Sequence, residues 1–471
     1  MNASGIIDHS ARLLIPHVIK GETLIAAEVE HHSRATREVV MTPKLDLDAL
    51  VWRRHEPGPA FEMPVAEIID FLGAVGVELD YDRNTYLQEA MEQNVRMGTL
   101  SPRILENCYR DIAGFFTREA ATAEAVGTFG SLEALDGWQR RKVLGAETDI
   151  RAFPPRIVHI LAGNAPVVPP ITIVRAALSK GVHLLKMPSN DLFTATALLR
   201  TMADVGPDHP VTRSFSAAYW RGGDESIESH IFRSQYYDKL AVWGGDAAVR
   251  HAMKYAAPGF EIISFDPKVS IGLIGREAHR DAETLASVAQ RAAADILAFN
   301  QDACASARFQ FVEGDDEQID AFCRALQREM GNDTRYGDGP NGPIPPRDVV
   351  DELDMLDMLA PLYQVYGKPD GSGVVVRSGE PVGFSPSGKV VNVVQVGDLK
   401  DALPHVTVAT QTVGVYPLSR SQGLRDALSA AGVQRIVRLG CHLDGTFGGQ
   451  PHDGGWPLHR MMHWVACDAG D

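Results

Sequence analysis

The sequence predicts an α/β protein, with a doubly wound parallel sheet followed by a second α/β unit. Three observations support this prediction. Short apolar segments alternate with helical ones from Arg156 onward, at about thirty residues per repeat. The turns between them contain Gly, Asn, Asp and Pro, which end strands and open helices. A second series of the same kind begins after Phe265. Such alternation produces parallel sheets that are covered by helices on both faces.

Composition and charge restrict the class of protein. A chain of 471 residues, 45% hydrophobic and 23% charged, predicts a globular protein of about two or three domains. Its net charge of -16 argues against nucleic acid or an anionic membrane as the main partner. No apolar run is long enough to span a bilayer, and residues 1–12 show no secretory signal. Five cysteines without a CxxC pair or metal-ligand spacing suit a reducing cytosol, so we expect a cytoplasmic enzyme without a metal.

Residues 1 to about 150 are predicted to be helical and irregular. Apolar positions recur with helical spacing in residues 65–72 and 86–97, and a Ser-Pro start signal favours a helix over residues 103–118. No residue in this region suggests catalysis. His31, His32 and Cys108 are interpreted as packing or surface groups rather than ligands.

The first α/β series carries three turns with binding chemistry. The strands are predicted at residues 157–161, 182–185, 216–220, 239–243 and 261–265, with helices at 171–180, 193–203 and 247–255. Ligands of doubly wound sheets bind beyond the carboxyl ends of the strands, where Asn164, Lys186 and Gly244-Gly245 lie. No GxGxxG fingerprint is present. Gly244-Gly245 at a helix N-terminus can still receive a phosphate, although such glycines are often purely steric.

The second series surrounds a cysteine. Its elements are a strand at residues 269–274, a helix at 282–298, strands at 306–312, 374–377, 390–396, 412–416 and 433–438, a helix at 421–431 and a Gly/Pro-rich loop at 336–347. Cys304 lies between the first helix and the second strand, flanked by small residues that admit a bulky electrophile. Backbone N–H groups at such a junction stabilise a thiolate and an adjacent oxyanion. The alternative is a buried structural cysteine. The Cys and His residues of the tail match no common metal-site spacing.

Three segments in this order resemble the aldehyde dehydrogenase superfamily, most closely its acyl-CoA reductase branch, the LuxC-type fatty acyl reductases. They are Gly163-Asn164-Ala165-Pro166, Lys186-Met187-Pro188-Ser189 and Asn300-Gln301-Asp302-Ala303-Cys304. The match runs from about residue 150 to the C-terminus, and the tail motif that begins at Asp453 resembles the reductase branch in particular. The fold implied is a Rossmann-type cofactor domain plus a second α/β catalytic domain.

The resemblance implies a role for each matching residue. Cys304 is the nucleophile that takes the acyl group as a thioester, and the Asn164 amide forms the oxyanion hole with the Cys304 backbone N–H. The cofactor-binding residues implied are Lys186, Ser189, Trp243, Gly244 and Gly245. The cofactor implied is NADPH rather than NADH, because Lys186 suits a 2′-phosphate. The domains expected are residues 1–268 (lead-in and cofactor binding), 269–440 (catalytic) and 441–471, a tail that packs near the active site or an oligomer interface.

One departure from the superfamily bears on the direction of the reaction. Hydrolytic members carry a glutamate in an element that aligns here with Ser264-Phe265-Asp266-Pro267-Lys268, and that glutamate activates the hydrolytic water. Only Asp266 is near, so the acyl-thioester should persist long enough to be reduced, although Asp266 stays open as a base. We therefore expect reduction of a fatty acyl-CoA or acyl-protein thioester to an aldehyde.

Other activities remain open, and the resemblance also implies an acyl donor. The nearest alternative is a CoA-acylating aldehyde dehydrogenase that acts on a short-chain aldehyde. A noncatalytic nucleotide-binding or protein-binding scaffold and a gamma-glutamyl phosphate reductase are further options. By analogy with the bioluminescence reductases, the acyl donor is acyl-CoA or a partner protein resembling acyl-protein synthetase. Self-association is expected from the superfamily.

Overall fold

The structure is a computed structural model that describes residues 13–32, 38–444 and 447–469. Residues 1–12, for which no secretory signal is expected, lie outside the described residues. The chain forms two compact units. The first unit draws on Met1–Thr99, Tyr109–Phe265 and Pro457–Asp471. The second draws on Leu100–Cys108 and Asp266–Trp456.

The elements up to residue 265 belong mainly to the first unit. The strands are β1 (Leu13–Leu14), β2 (His17–Ile19), β3 (Glu22–Leu24), β4 (Val29–His32), β5 (Val39–Thr42), β6 (Gln139–Val143), β7 (Ala146–Phe153), β8 (Arg156–Ile160), β9 (Val182–Lys186), β10 (Phe215–Ala218), β11 (Lys239–Trp243) and β12 (Glu261–Phe265). The helices are α1 (Leu47–Leu50), α2 (Val65–Glu78), α3 (Thr85–Met97), α4 (Pro102–Phe115), α5 (Arg118–Phe129), α6 (Val168–Leu178), α7 (Thr194–Val205), α8 (Pro210–Arg213), α9 (Glu225–Ile231) and α10 (Asp246–Met253).

The remaining elements belong to the second unit except for the last helix and the last strand. The strands are β13 (Val269–Ile274), β14 (Ala307–Glu313), β15 (Gln364–Gly367), β16 (Val374–Ser378), β17 (Val390–Val396), β18 (Thr410–Tyr416), β19 (Arg435–Arg438) and β20 (His463–Asp468). The helices are α11 (Ala282–Leu297), α12 (Asp316–Met330), α13 (Arg347–Asp357), α14 (Arg425–Ala431) and α15 (Pro457–Met461). None of the described helices combines the length and the apolar character needed to cross a bilayer.

The main sheet of the first unit is doubly wound, as the sequence predicts. Its strand order is β12-β11-β8-β9-β10-β2-β3, and the strands from β12 to β10 are parallel. From β8 the chain adds β9 and then β10 on one side of β8. It then returns to add β11 and β12 on the opposite side of β8. The direction of winding therefore reverses between β8 and β11, and the crevice at such a reversal is where these folds bind ligands.

Alternate residues of these strands fill two hydrophobic layers. Val158 and Leu240 pack into the cluster on one face, whereas their neighbours Ile157 and Ala241 pack into the cluster on the other face. Because both faces are buried, the strands appear in the sequence as continuous apolar runs rather than as alternating ones. This explains why the predicted and observed limits of β11 and β12 coincide.

The region before residue 150 differs from the prediction of helices and irregular segments only. The helices α2, α3 and α4 are present, but seven short strands accompany them. β2 and β3 extend the main sheet in antiparallel fashion, and β6 and β7 form a separate three-stranded sheet with β20. These strands are short and mostly half exposed, so no buried apolar run marks them in the sequence.

The second unit also has a seven-stranded sheet, of order β15-β16-β17-β14-β13-β18-β19. All neighbours are parallel except β15 and β16. α11 covers one face, because Val288, Ala292 and Ile296 recur at helical spacing and are fully buried. The Asp281 side chain caps this helix by accepting a hydrogen bond of 2.7 Å from the Thr284 N–H. The helix ends at Leu297, where the chain turns toward Cys304.

Candidate active site

Three consecutive non-glycine residues in the left-handed conformation lead from α11 to Cys304. The φ angles are 49° at Phe299, 53° at Asn300 and 72° at Gln301. Left-handed backbone at a residue with a Cβ costs about 1–3 kcal/mol and persists only where the surroundings enforce it. The turn is therefore strained, and it ends next to the predicted nucleophile.

Hydrogen bonds from the residues that follow hold this turn in place. The Phe299 N–H donates to the Tyr336 carbonyl at 2.7 Å. The Asn300 amide donates to Asp338 Oδ2 at 2.9 Å and accepts from the Asp338 N–H at 2.8 Å. The Gln301 amide donates to the Val390 carbonyl at 2.8 Å. Each strained residue thus has its own partner, so the turn is fixed residue by residue.

The buried Lys389 fixes the loop at residues 338–339, which in turn holds the strained turn before Cys304. The Lys389 side chain is fully buried, and its ammonium group donates to the carbonyls of Asp338 at 2.8 Å, of Gly371 at 2.6 Å and of Gly339. Burial lowers the pKa of Lys389 to about 8, although nearby carboxylates, foremost that of Asp338, oppose the shift. The loop at residue 338 is thereby tied to the start of β17.

Cys304 lies at the edge of the sheet where the parallel strands begin. β14 starts three residues after it, and the hydroxyl of Ser270, near the start of β13, donates to the Cys304 carbonyl at 3.0 Å. Gln411 and Arg435 stand at the beginning of β18 and β19. Because neighbouring parallel strands start at the same edge, these side chains gather around the cysteine. The carboxyl-end rule, which the sequence analysis applied to the first series, does not apply to this site.

The surroundings of the half-buried thiol act on it in both directions. Burial raises the pKa of Cys304, and the negative charge of Asp453 raises it further. Hydrogen bonds from the Gln411 side chain and from the backbone N–H groups of Ala305 and Cys304 oppose that rise. Those N–H groups therefore favour the thiolate over the thiol. The assignment of Cys304 as the nucleophile stays a prediction.

The tail residue His442 supports the strand that follows the cysteine. His442 Nδ1 lies 2.7 Å from the Ala305 carbonyl oxygen, and His442 Nε2 lies 3.3 Å from Asp295 Oδ2. Burial raises the pKa of Asp295, whose carboxylate also accepts from the Gly440 N–H at 2.7 Å. His442 thus joins the tail to α11 and β14. In the part of the chain that the structure describes, no group of three or more metal-ligating side chains is found.

The first unit contains the other predicted residues, at the carboxyl ends of its strands. Asn164 lies in the turn after β8 and is partly exposed. A Cβ at the preceding Gly163 would overlap the Asn190 amide and come 3.0 Å from the Pro188 side chain, so a larger residue there would displace Asn190. The turns after β8 and β9 thus approach each other closely. Ser189 lies in the second of these turns.

Lys186 ends β9 and is 8% exposed. Its ammonium nitrogen lies 5.7 Å from the centre of the Tyr219 ring and would be 3.8 Å from a Cβ on Gly222. The loop after β10 therefore comes beside Lys186 and carries the exposed Arg221. Sequence reasoning missed Arg221, although the loop that carries it also lies at a strand end.

Trp243, Gly244 and Gly245 occupy the turn after β11. The Trp243 ring stacks on Phe265 at 3.8 Å with an interplanar angle of 8°. Gly245 precedes α10 without a side-chain cap, and a Cβ at Gly245 would meet nothing within 4 Å. The helix N-terminus is therefore open to an anion. Its first residue, Asp246, is paired with Arg250 at 2.6 Å, which offsets the charge of its carboxylate.

The structure brings most of the predicted residues into two groups, one in each unit. The cofactor-binding candidates and Asn164 lie at the strand ends of the first unit, and Cys304 lies in the second. Asp266, the candidate hydrolytic base, is 44% exposed and lies 3.8 Å from Lys268 Nζ. The carboxylate that acts on the Cys304 thiol is instead Asp453, which the sequence reasoning did not single out.

Comparisons with known proteins point to a family. Residues 60–464 match the family model for acyl-CoA reductase (LuxC). The long-chain acyl-protein thioester reductase of Aliivibrio fischeri is 30% identical over 85% of this chain and 81% of its own. The protein of that name from Photorhabdus laumondii is 32% identical over 72% of this chain and 68% of its own. Lactaldehyde dehydrogenase from Escherichia coli superposes with a TM-score of 0.68 at 14% identity, covering 97% of this chain and 99% of that chain. This superposition confirms the predicted aldehyde-dehydrogenase-like α/β fold.

Proposed function

Because this chain belongs to the acyl-CoA reductase (LuxC) family, we propose that it reduces a long-chain acyl thioester to an aldehyde while the acyl group is held on Cys304. The observation that carries the proposal is the presentation of Cys304. A strained turn leads to the residue, and each residue of that turn has its own hydrogen-bond partner. Hydrogen bonding by the backbone N–H groups of Ala305 and Cys304 favours the thiolate form of its sulfur. A structural cysteine needs neither feature.

The chemistry follows from thioester exchange. The Cys304 sulfur attacks the acyl carbonyl carbon, and the thiolate of the donor leaves as the tetrahedral oxyanion collapses. Backbone N–H groups at the sulfur stabilise the charge that forms on the carbonyl oxygen. The resemblance assigns the second oxyanion donor to the Asn164 amide. The acyl-thioester on Cys304 is then the group to be reduced, because the segment Ser264-Phe265-Asp266-Pro267-Lys268 lacks the glutamate that activates water in hydrolytic members.

The strand ends of the first unit suit a nicotinamide cofactor, which supplies a hydride when bound. The uncapped N-terminus of α10 at Gly244-Gly245 would receive the pyrophosphate, and Trp243 would lie along the nicotinamide side. Lys186 and Ser189 would hold the adenosine ribose. We propose NADPH as the form used, because Lys186 and Arg221 offer two positive charges and Ser189 brings no negative charge toward a 2′-phosphate.

The donor is proposed to be an acylated protein, with acyl-CoA as a second source. Both relatives compared above are named long-chain acyl-protein thioester reductases. A thioester on a protein and one on CoA present the same carbonyl to Cys304. We also expect self-association and a cytoplasmic location, from the superfamily resemblance and the cysteine usage respectively.

Intact-protein mass spectrometry tests this proposal. Wild type and Cys304→Ala are incubated with a panel of acyl-CoAs, and NADPH is then added. We expect an acyl adduct on wild type only, and NADPH should discharge it as aldehyde. The exposed Cys467→Ala serves as the matched control and should label like wild type. An adduct that persists in Cys304→Ala would contradict the assignment of the nucleophile.

A further inference from the structure

Gln411 lies close to the segment that carries Cys304 and contacts a buried carboxylate. Gln411 Nε2 donates to Asp453 Oδ1 at 2.9 Å. The neighbouring Thr412 N–H donates to Ser270 Oγ at 3.2 Å, and the Ser270 hydroxyl donates to the Cys304 carbonyl at 3.0 Å. These bonds bring Gln411 and Asp453 beside the nucleophile, and hydrogen bonding by the Gln411 side chain opposes the rise in the pKa of Cys304.

Asp453 is held in place rather than lying free at the surface. Its side chain is 6% exposed, and its backbone is left-handed with a φ of 50°. The hairpin around it is closed by the His452 N–H, which donates to the Gly455 carbonyl at 2.7 Å. A buried carboxylate on strained backbone beside a reacting group marks a candidate functional residue.

The thiol is protonated at rest, because burial and the Asp453 carboxylate outweigh the groups that favour the thiolate. Burial and the Asp453 carboxylate both raise the pKa of Cys304. His452 Nε2 lies 3.7 Å from Asp453 Oδ1. Arg435 faces the cysteine from β19; burial lowers the pKa of Arg435, and the charges of Cys304, Asp444 and Asp295 oppose that shift. A thiol that is protonated at rest needs an acceptor for its proton when it attacks a carbonyl.

We propose that Asp453, oriented by Gln411, accepts the Cys304 thiol proton directly or through one water and returns it to the leaving thiolate. This inference rests on the proposed acyl transfer to Cys304 and adds the residue that moves its proton. As the Sγ–H bond breaks, the sulfur electron pair forms the bond to the acyl carbon, and the proton passes to Asp453. When the carbon–sulfur bond of the donor breaks, its electron pair and the Asp453 proton form the departing thiol. The exchange is therefore balanced without an oxidant or a reductant.

Asp453→Asn tests the role of Asp453 as proton acceptor, because it should raise the rate of Cys304 alkylation and lower the rate of acyl-adduct formation. Asn tolerates left-handed backbone as Asp does, so the substitution removes the charge and leaves the turn. Alkylation by iodoacetamide should become several-fold faster at pH 7, because the thiol ionises more readily without the carboxylate. Acyl-adduct formation from an acyl-CoA should become about 100-fold slower at pH 7, because the proton acceptor is lost. The adduct-formation rate should then rise about tenfold per pH unit, as the thiolate fraction does, whereas the wild-type rate stays flat near neutral pH.

Two further variants separate proton transfer from structure. Gln411→Ala should slow both alkylation and adduct formation, since it removes the side-chain hydrogen bonding that favours the Cys304 thiolate and the orienting bond to Asp453. Asp426→Asn makes the same chemical change at a fully exposed position of α14 and should leave both rates unchanged.

The outcomes distinguish this inference from the proposed function. Faster alkylation with slower adduct formation supports Asp453 as the proton acceptor. If both rates rise, or if both fall, the inference is overturned while acyl transfer to Cys304 stands. A loss of adduct formation in Asp266→Asn, with Asp453→Asn unaffected, would move the role to Asp266. If wild type forms no adduct with any acyl-CoA or acylated protein, the proposed function fails and this inference fails with it.

Discussion

Lys389 is the single residue on which the loop behind the nucleophile depends most. Its ammonium group donates to three backbone carbonyls, those of Asp338, Gly339 and Gly371. Burial makes this charge costly, as the pKa of about 8 indicates, and three acceptors are what make the burial tolerable. The Lys389 backbone N–H also donates to Gln301 Oε1 at 2.9 Å. Lys389 thus contacts both the loop at residues 338–339 and the strained turn at residues 299–301.

Replacing Lys389 should therefore affect stability first. We expect Lys389→Met to lower the free energy of unfolding by roughly 3 kcal/mol, because three buried carbonyls lose a charged donor. Urea denaturation followed by circular dichroism measures this change. Lys400→Met removes the same ammonium group from an exposed position and should change the unfolding free energy by less than about 0.5 kcal/mol. Equal stabilities of the two variants would contradict the importance of the buried contacts.

At the scale of the element, the turn over Phe299, Asn300 and Gln301 has strained backbone, and it determines where Cys304 lies. Left-handed residues would relax if the hydrogen bonds to Tyr336, Asp338 and Val390 were absent. The turn thus keeps Cys304 at the sheet edge at the expense of local stability, as strained segments at reactive sites do.

Two substitutions at Asn300 separate strain from hydrogen bonding. Asn300→Gly and Asn300→Ala both lose the two bonds to Asp338, but only alanine keeps a Cβ in the left-handed conformation. We expect Asn300→Ala to be less stable than Asn300→Gly by about 1 kcal/mol. Adduct formation on Cys304 should slow in both variants, because the turn is no longer held. Thermal or urea unfolding and the mass-spectrometric labelling rate give the two readouts, and a glycine variant less stable than the alanine variant would refute the strain.

The elements that the sequence predicts well are those buried on both faces. Lys239–Trp243 and Glu261–Phe265 are apolar runs ended by turn residues, so local composition is enough to define them. β2 and β3 are three residues long. β2 pairs with β10, which lies about two hundred residues away, and β3 pairs with β2, so no local pattern reveals their place in the sheet. Cys304 is likewise recognisable from its neighbours. Gln411 and Asp453 are not, because Gln411 comes near Cys304 only through the parallel order of β13, β14 and β18, and Asp453 only through its contact with Gln411.

Residues at the start of adjacent parallel strands lie together as surely as residues at the strand ends do. Applying this rule to the second series would have brought Ser270, Gln411 and Arg435 to the cysteine once the strand order was known. Strand order depends on long-range packing, and a single sequence does not supply it.

At the scale of the whole molecule, the two units contribute different halves of the proposed reaction. The first offers strand-end turns with open N–H groups and positive side chains, and the second offers a nucleophile with its hydrogen-bond donors. Acyl transfer to Cys304 needs only the chemistry of the second unit, whereas reduction needs the cofactor. The two half-reactions should therefore respond to different substitutions.

Lys186→Ala tests this division of labour. Acyl-adduct formation on Cys304 should proceed at the wild-type rate, because thioester exchange uses no nicotinamide. The kcat/KM for NADPH should fall about tenfold or more through loss of a charge-assisted contact to the 2′-phosphate, with little change for NADH. Steady-state kinetics with both cofactors measure the difference. Lys254→Ala, at an exposed site of the same unit, is the matched control, and an equal loss with both cofactors would argue against the 2′-phosphate.

The three carbonyl oxygens that accept from Lys389 Nζ resemble the oxygens that replace the hydration shell of a potassium ion in a channel. A free ion held by such oxygens dissociates when its concentration in solution falls. Here the cation is covalently attached to the chain, so its local concentration is fixed by the fold and not by the medium. The geometry of the nucleophile is consequently independent of which alkali ions surround the protein, at any salt concentration at which the chain stays folded.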